Sequence, residues 1–328
     1  MRARCARWYN ALMTVEQEIK AKGRELGFDA VGITDASPLS REHTEHFQQW
    51  LDRGCAGRMD YMGRNVDKRF DPAQLRRGAR SVIVVALNYK PEISNPRSEI
   101  SNPKSDIPAF GKVASYAQYE DYHAFIKSLL RELASFVSVR VGRPDRYKIC
   151  VDSAPLAEKV LAARAGLGFI GRNHLLVHPQ LGPQLLLGEL VTTLPLQPDE
   201  PSRDTCRDCN CCTKACPTGA LQRDGFLDAR RCISYQTQYE SHDLSAPDTD
   251  GWLFGCDECL LACPFQRQAP TRANARFKFH PDRAALDLHD LLAMSAETFD
   301  ARFADSPMKR PGLMALQQTA RACLSHSA

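Results

Sequence analysis

The sequence predicts a mixed α/β domain, followed by a cysteine-rich module and a short helical tail. Three observations lead to this fold class. Apolar strand-like runs alternate with helical stretches from 14 to 200, which is typical of α/β domains. After "LQPDEPSRDT" the composition turns to cysteine, and this module spans 201–270. Short helical stretches such as "AALDLHDLLAM" follow in 271–328, which holds too few residues for a further independent domain.

The elements of the first domain follow one another in a readable order. "FDAVGIT" is an apolar strand-like run, a helical stretch extends from Pro38 to Arg53, and "SVIVVAL" at 81–87 is strand-like. Then come a helix "YEDYHAFIKSLLRELASFV", a strand "RYKICV", a helix "APLAEKVLAARAG" and an apolar run "LLLGELVTTL". The alternation predicts an α/β domain but leaves the strand directions open. "ISNPRSEISNPKSDI" is rich in Ser, Asn and Pro, so we expect a surface loop there.

Length and composition indicate an ordinary globular protein. The chain has 328 residues, of which 43% are hydrophobic and 25% are charged, and this suggests roughly two domains. No apolar run reaches the length of a membrane span, and "MRARCARWYNALMTVEQEIK" lacks the apolar centre of a secretory signal. We therefore expect a cytoplasmic monomer with no membrane partner, whose thirteen cysteines stay reduced. The net charge of +4 does not by itself indicate nucleic-acid binding.

The segment "CRDCNCCTKACPTGA" places five cysteines within eleven positions. Without Cys211 they read Cys-x2-Cys-x2-Cys-x3-Cys before Pro217, which is the bacterial ferredoxin run. "RRCISYQ" and "GCDECLLACPFQ" supply four more cysteines and a second Cys-Pro ending. Eight ligands are enough for two 4Fe-4S clusters, which we therefore predict.

Cross-ligation in the ferredoxin pattern assigns each Cys-Pro cysteine to the other cluster. The first cluster is then predicted to be held by Cys206, Cys209, Cys212 and Cys263. The second cluster is predicted to be held by Cys216, Cys232, Cys256 and Cys259. Cys211 is expected to point away as a small buried residue. A pair of structural zinc sites is the alternative, because Cys-x2-Cys pairs also suit tetrahedral zinc, and disulfides are less expected still.

The segment "GLGFIG" matches Gly-x-Gly-x-x-Gly at Gly166, Gly168 and Gly171, which raises the question of NAD binding. In a dinucleotide-binding fingerprint the glycines follow a strand and open a helix, whereas here they close one. We therefore predict a helix C-cap that leads into a close backbone approach. Arg172 and Asn173 follow at once and could meet phosphate or amide groups of a bound cofactor.

The segment "CVDSAPLAEKV" places Asp152 between a strand end and a helix whose first turn is marked by Pro155. One interpretation is helix capping by Asp152 or Ser153. The other is a functional site, because ligands bind at strand ends in α/β domains. A dry site would raise the pKa of this carboxyl and a helix N-terminus would lower it, so the sequence leaves its protonation open.

Histidines and basic runs have ordinary interpretations as well. His123, His174 and His178 show no metal-site spacing, so we expect structural or surface roles for them. "KRFDPAQLRRGAR" and "RQAPTRANARFKFH" concentrate Lys and Arg. A solvated surface is the first interpretation of each run, and contact with nucleic acid is the second.

Six ordered segments together resemble the epoxyqueuosine reductase family, which are cobalamin-dependent iron–sulfur enzymes of tRNA queuosine synthesis. They span about 15–311 and read "KRFDP", "EDYH", "VDSAPLAEKVLAARAGLGFIGRN", "CRDCNCCTKACPTGAL", "RRCISYQTQ" and "GCDECLLACPF". Many ferredoxins share the cysteine pattern, but not the aspartate–helix–glycine segment before it. The chain ends soon after "FADSPMKRPGLM", so the resemblance implies a short form without the helical-repeat extension of many members.

The resemblance implies an N-terminal cobalamin-binding domain of nitroreductase-like ancestry and a ferredoxin-like module with two 4Fe-4S clusters. It implies that Asp152 contacts cobalamin and is the proton donor. Further cobalamin contacts are implied at Arg69, Ala114, Arg172, Leu175, Ser234 and Asp257.

The implied reaction is the reduction of epoxyqueuosine to queuosine at the wobble position of tRNA. Clusters would pass electrons to cobalamin, and Asp152 would protonate the departing oxygen. The implied partners are the tRNA anticodon stem-loop, whose phosphates the basic runs could hold, and an external low-potential electron donor. Two alternatives remain open: an iron–sulfur electron-transfer protein and a corrinoid reductase that acts on a small molecule.

Overall fold

The computed structural model describes residues 13–92, 110–142, 147–240 and 249–325. The predicted surface loop "ISNPRSEISNPKSDI" lies outside these residues. The strands are β1 Ala30–Asp35, β2 Ser81–Asn88, β3 Phe110–Val113, β4 Lys148–Cys150, β5 Phe169–Ile170, β6 Leu176–Val177, β7 Leu185–Thr192, β8 Trp252–Phe254 and β9 Ala285–Asp287.

The helices are distributed along the whole described chain. The α-helices are α1 Val15–Glu25, α2 Arg41–Asp52, α3 Val66–Phe70, α4 Pro72–Leu75, α5 Tyr122–Arg140, α6 Glu158–Arg164, α7 Cys211–Ala215, α8 Ile233–Tyr235, α9 Glu258–Leu261, α10 Pro264–Gln268, α11 Leu288–Ala293, α12 Ala296–Arg302 and α13 Leu313–Ser325. Short 3-10 helices cover Asp60–Gly63, Ser115–Gln118, Ala229–Arg231, Pro281–Arg283 and Pro307–Lys309, and a π-helix covers Gln236–Glu240.

The main sheet has the strand order β1-β2-β7-β4, and its neighbouring strands are antiparallel. This settles the strand directions that the sequence left open. Every residue of β2 is buried, because helices cover both faces of the sheet. Alternate residues of β2 face opposite sides: Ile83 packs in one core with α5, and Val84 packs in the other with α6.

A second sheet joins distant parts of the chain. β3 is parallel to β8 and antiparallel to β9, in the order β8-β3-β9. Its strands therefore come from each of the three segments bounded near 200 and 270. Phe299 of α12, Phe303 directly after it and Leu316 of α13 share a buried core with this sheet. The tail thus packs on the sheet, while the domain boundaries stay predictions.

Most sequence-derived elements have a counterpart in the structure, but the start of α6 was predicted wrongly. The helix begins at Glu158 and its N-cap, Ala157, makes no side-chain hydrogen bond, so neither Asp152 nor Ser153 caps it. The preceding backbone is not helical: Asp152 has φ +56°, and the Ser153 N–H bonds the Val151 carbonyl oxygen at 2.5 Å. This places Pro155 before the helix rather than in its first turn.

Helix α1 lies outside the predicted elements. Thr14 and Gln17 form a capping box at its start, in which each side chain accepts from the backbone N–H of the other. The Thr-x-x-Gln spacing is visible in the sequence and is the signal that identifies this helix start.

The predicted helix-closing role of "GLGFIG" is confirmed. The Gly166 N–H bonds the Ala163 carbonyl and the Leu167 N–H bonds the Ala162 carbonyl, which is the Schellman pattern, with Gly166 at φ +77°. Gly168 makes the close approach, since a Cβ there would lie 2.2 Å from the Val177 carbonyl oxygen. These glycines end a helix and do not open one, unlike a dinucleotide-binding fingerprint.

Candidate active site

The first predicted thiol set surrounds one cavity of about 390 Å³, lined by Cys206, Cys209, Cys212 and Cys263. Cys263 comes from the start of α10, some fifty residues later in the sequence than its companions, and Pro264 opens that helix. The structure therefore places this Cys-Pro cysteine with the first three thiols, as cross-ligation requires. Cys211 is exposed, so the prediction that it is buried is wrong.

The second predicted set also gathers in space. Burial raises the pKa of Cys259, and the neighbouring thiols Cys256, Cys232 and Cys216 raise it further. Burial alone would raise the pKa of Cys216, but backbone N–H groups beside its sulfur outweigh burial and lower it. Among the described residues, no three His, Cys, Asp or Glu side chains converge on a site for a single metal ion.

A larger cavity of about 2480 Å³ lies between the two halves of the chain. Asp152 and Arg69 line it from the first half, and Cys232 and Ser234 line it from the second. Because Cys232 belongs to the second thiol set, that set borders the cavity. The sequence-predicted proton donor and a predicted cluster ligand therefore face one shared space.

Asp152 is half-exposed to this cavity and contacts His123. His123 Nε2 lies 3.2 Å from Asp152 Oδ2, and His123 Nδ1 lies 2.7 Å from Asp121 Oδ1. Asp121 is held in place because it is the N-cap of α5 and accepts the His123 backbone N–H at 2.8 Å. The ring of Tyr122 stacks on the imidazole, with a centroid distance of 4.2 Å.

These contacts fix the charges at neutral pH. The hydrogen bond to Asp121, followed by that to Asp152, raises the pKa of His123 to about 9. The same contact with His123 is the main cause that lowers the pKa of Asp152, and it outweighs burial. The pair is therefore an imidazolium beside a carboxylate, and the transferable proton is on His123.

His123 is a functional candidate that the sequence-based interpretation assigned to a structural or surface role. The available signal was "EDYH", in which an aspartate that starts a helix is followed two positions later by a histidine. Its closeness to Asp152 depends on the packing of α5 beside β4, which a local pattern does not contain.

Besides Asp152, three of the implied cobalamin contacts line the large cavity: Arg69, Arg172 and Ser234. The buried Nε of Arg69 has no hydrogen-bond partner within the described part of the chain, and its guanidinium lies 5.5 Å from the Phe47 ring centroid. The Arg172 backbone N–H points to Cys206 Sγ at 3.4 Å, so this residue lines both cavities.

The other three implied contacts are not among the described residues that line the large cavity. Ala114 is buried at the end of β3, and Leu175 packs against the main core. Asp257 is buried and accepts the Ser115 backbone N–H at 2.7 Å and its hydroxyl at 2.6 Å. Their contact with cobalamin stays a prediction.

The remaining histidines differ in role. His178 Nδ1 accepts the backbone N–H groups of Gln180 and Leu181 at 3.1 and 3.2 Å, so this residue holds a turn as expected. His174 lines the large cavity, and burial lowers its pKa to about 4. His174 is therefore neutral at physiological pH.

The Lys and Arg side chains of the two basic runs differ in what they contact. In the second run, Arg272 lies over the rings of Tyr119 and Phe279 and donates to backbone carbonyls, so its role is structural. In the first run, Lys68 and Arg77 are exposed. In the second run, Arg267, Arg276 and Lys278 are exposed as well. Both runs thus present cationic side chains at the surface, and the first run also contains Arg69, which lines the large cavity.

An aromatic and cationic cluster at the cavity lay outside the sequence predictions. The hydroxyls of Tyr61 and Tyr239 lie 3.0 Å apart, and the Arg310 guanidinium lies 5.3 Å from the Tyr239 ring centroid and donates to its hydroxyl. Tyr239 belongs to the π-helix, an element that often marks functional sites. All three residues line the large cavity.

Comparison with known protein families agrees with both halves of this arrangement. A family model described as "Epoxyqueuosine reductase QueG, DUF1730" matches residues 69–153. A model described as "4Fe-4S double cluster binding domain" matches residues 205–266 and favours iron–sulfur clusters over zinc.

Relatives cover nearly the whole chain. It is 38% identical to an epoxyqueuosine reductase of Pseudomonas aeruginosa over 302 residues, which is 90% of this chain and 81% of that protein. A crystal structure of an epoxyqueuosine reductase with an epoxyqueuosine-modified tRNA-Tyr stem loop is 27% identical, with a TM-score of 0.83, and covers 96% of this chain and 82% of that one.

A Bacillus subtilis epoxyqueuosine reductase, in a form with its catalytic aspartate loop swung out of the active site, is also 27% identical. Its TM-score is 0.84, and the match covers 96% of this chain and 82% of that one.

Among the described residues, no helix has both the length and the apolar character needed to cross a membrane. Because it shares 38% identity with the Pseudomonas relative over 90% of its length, the chain belongs to the epoxyqueuosine reductases, which are oxidoreductases.

Proposed function

We propose that this protein reduces epoxyqueuosine to queuosine at the wobble position of tRNA. One observation carries the proposal: Asp152, joined to His123, and Cys232 of the second thiol set line the same large cavity. This arrangement brings the proposed proton donor and a proposed cluster ligand to the same cavity. The relative with a bound epoxyqueuosine-modified stem loop supports tRNA as the substrate.

The thiol sets fit two 4Fe-4S clusters. The first four cysteines surround a single cavity, and the second four are close enough to change one another's pKa. We propose ligation by the two sets as the sequence assigned them. The first set borders the cavity that Arg172 and Arg207 line, and the second set borders the active-site cavity, so electrons from an external low-potential donor would enter at the first.

The large cavity fits cobalamin. Pockets for drug-sized ligands have volumes of about 300–1,000 Å³, whereas this one measures about 2480 Å³ and so has room for a larger group. The unpartnered Nε of Arg69 offers a buried donor, and the Ser234 hydroxyl offers a second polar contact. Bound there, cobalamin would supply a reducible cobalt centre. Arg69, Arg172 and Ser234 would hold it, and we retain Ala114, Leu175 and Asp257 as further proposed contacts.

The chain's own residues supply the acid chemistry. Conversion of the epoxide to an alkene consumes two electrons and two protons and releases one water. We propose that Asp152 protonates the departing oxygen and takes its proton from His123 Nε2, while Asp121 stabilises the imidazolium. His123 then takes the second proton from solvent water and passes it on in the same way, so that the oxygen leaves as water. The lowered pKa of Asp152 makes this relay necessary, because the carboxyl is ionised at neutral pH before the transfer.

The substrate enters as an anticodon stem-loop. A single-stranded loop can splay a base into a pocket, while Lys and Arg hold its phosphates. The exposed Lys68 and Arg77 of the first basic run, which also contains the cavity-lining Arg69, are suited to this role. The tyrosine and arginine cluster at Tyr61, Tyr239 and Arg310 offers flat surfaces for neighbouring bases. We propose that the protein works as a cytoplasmic monomer.

Nucleoside analysis tests this function. Protein loaded anaerobically with iron and sulfide is incubated with cobalamin, a strong reductant and tRNA that carries epoxyqueuosine. The proposal predicts that epoxyqueuosine disappears and queuosine appears, and that omission of cobalamin stops the conversion. Unchanged tRNA, with protein that shows no corrinoid absorption after incubation and desalting, would instead indicate an electron-transfer protein. Bound corrinoid with unchanged tRNA would indicate a small-molecule substrate.

A further inference from the structure

Glu189 is an acidic residue in the interior of the main sheet. It lies on β7, opposite Val84 of β2 and Cys150 of β4, and it is 0% exposed. Neither of its carboxyl oxygens receives a hydrogen bond from an N–H group, a hydroxyl or a cation of the described residues. A carboxylate in this position would be a buried, unpaired charge, which proteins avoid by protonation.

The neighbour of Glu189 is another carboxyl group, that of Glu158. Glu158 is the first residue of α6 and lines the large cavity, and its carboxyl group is close enough to raise the pKa of Glu189. A carboxyl–carboxyl hydrogen bond requires a proton between the oxygens, because two adjacent carboxylates repel. Because Glu189 is fully buried and receives no hydrogen bond among the described residues, the pair holds at least one proton.

The charged surroundings do not replace that proton. Asp152, Lys159, Arg69, Tyr122 and Cys150 face the pair. The Lys159 ammonium donates to the His174 carbonyl oxygen at 2.6 Å and so has another partner. Burial, and then the charge of Asp152, raises the pKa of Glu158 to about 7, and burial raises the pKa of Glu189 well above its usual range. Glu158 borders the cavity whereas Glu189 is fully buried, so Glu158 is the member that ionises first as the pH rises.

The pair also contacts the catalytic loop. The backbone N–H of Asp152 donates to Glu158 Oε1 at 2.5 Å. Asp152 adopts φ +56°, a left-handed conformation that non-glycine residues adopt only when other contacts hold it. This hydrogen bond is one such contact, and it is directed at the residue whose carboxyl group the proposed chemistry needs.

We propose that Glu158 and Glu189 share a proton and together act as the acceptor that holds the Asp152 backbone N–H, so that they position the proton-donating carboxyl group. This role rests on the proposed function of Asp152. When Glu158 ionises, its hydrogen bond with the Asp152 N–H becomes charge-assisted and strengthens. The Asp152 loop is therefore held more firmly as the pH rises through neutrality.

Hydrogen–deuterium exchange of residues 150–157 tests the proposal. The full chain is used with its clusters and without cobalamin or tRNA, from about pH 6 to pH 8, and rates are corrected for the intrinsic pH dependence of exchange. We expect protection in the wild type to rise with an inflection near pH 7, where the pKa of Glu158 lies. Glu158→Ala should raise the exchange rate about tenfold or more, because the acceptor is lost.

Two further variants separate positioning from packing. In Glu189→Gln the amide N–H₂ donates to Glu158, which lowers the pKa of Glu158 and moves the inflection below that of the wild type. Glu42→Gln, on the exposed face of α2, is the matched control and should behave as the wild type. Wild-type exchange in Glu158→Ala, or an unmoved inflection in Glu189→Gln, would overturn the proposal.

A second measurement needs no variant. Infrared difference spectra of the wild type between about pH 6 and pH 8 should show a protonated carboxyl that ionises near pH 7, and a flat difference spectrum in that region would also overturn the proposal. Neither measurement uses cobalamin or tRNA. Failure here therefore leaves the proposed function standing, and failure of the nucleoside assay does not affect this result.

Discussion

His123 Nε2 lies 3.2 Å from Asp152 Oδ2 in the wall of the large cavity. The other ring nitrogen of His123 lies 2.7 Å from Asp121, so the imidazole bridges two carboxyl groups. Asp121 therefore stabilises the imidazolium at Nδ1, and Asp152 contacts Nε2 and lines the cavity. This arrangement can hold a proton on His123 at neutral pH and transfer it through the Asp152 carboxyl group.

The first prediction concerns the pH dependence of turnover. The pKa of His123 is raised to about 9, so the rate of epoxyqueuosine reduction should fall as the pH rises through that value. His123→Gln removes the stored proton, and we expect the rate near neutrality to fall by about 10²-fold or more. Single-turnover rates across the pH range measure both effects. A His123→Gln enzyme with the wild-type pH profile would contradict the relay.

The second prediction concerns stability. A histidine with a raised pKa stabilises the folded protein fully below its unfolded pKa of 6.5, and this contribution is lost as the pH rises through about 9. The side chains of Asp121, His123 and Asp152 are partly exposed, so solvent screens their interaction. We therefore expect the contribution to change the unfolding temperature by roughly 2–4 °C. Thermal unfolding of His123→Gln should lack this pH-dependent part. His289→Gln, at an exposed position, should retain it.

The third prediction concerns the cross-ligated clusters. Cys263→Ala and Cys209→Ala should disturb the same cluster, although Cys263 is closer in sequence to Cys259. Each variant should lose up to about half of the bound iron and weaken the same electron paramagnetic resonance signal, whereas Cys259→Ala should weaken the other. Cys211→Ala is the control and should keep full iron content. Identical spectra for Cys263→Ala and Cys259→Ala would contradict the assignment.

The fourth prediction concerns tRNA. Lys68 and Arg77 are exposed in the basic run that also contains the cavity-lining Arg69, so their double replacement by Ala should weaken tRNA binding. The slope of log Kd against log salt should fall by about 1–2, because two phosphate contacts are lost. Arg276→Ala is the control, because this guanidinium faces Glu132 at 3.6 Å. An equal loss of affinity in the control would argue against a specific role for the first basic run.

Features that depend on neighbouring residues in the sequence could be predicted from local sequence patterns. Cluster ligands follow fixed spacings, so the eight cysteines could be sorted into two sets from the sequence. The apolar run of β2 predicted a strand because every one of its residues is buried. Gly166 predicted a helix end because its left-handed φ closes α6.

The remaining features depend on contacts between distant segments. Pro155 suggested a helix start, but the backbone around Asp152 is held in a left-handed conformation by Glu158, and the helix begins later. His123 reaches Asp152 from α5, and Arg310 reaches the cavity from the tail. Strand direction likewise follows from topology, since an apolar run reads alike in parallel and antiparallel sheets.

Replacement of Asp152 by Asn tests the central claim most directly. Asparagine tolerates the left-handed backbone of this position and keeps the side-chain shape, so the variant removes the acid and little else. In a single-turnover assay with cobalamin and epoxyqueuosine tRNA, we predict that Asp152→Asn binds clusters and cobalamin like the wild type. We predict that it forms queuosine about 10²–10⁴-fold more slowly. Queuosine formation at the wild-type rate would contradict the assignment of Asp152 as the proton donor.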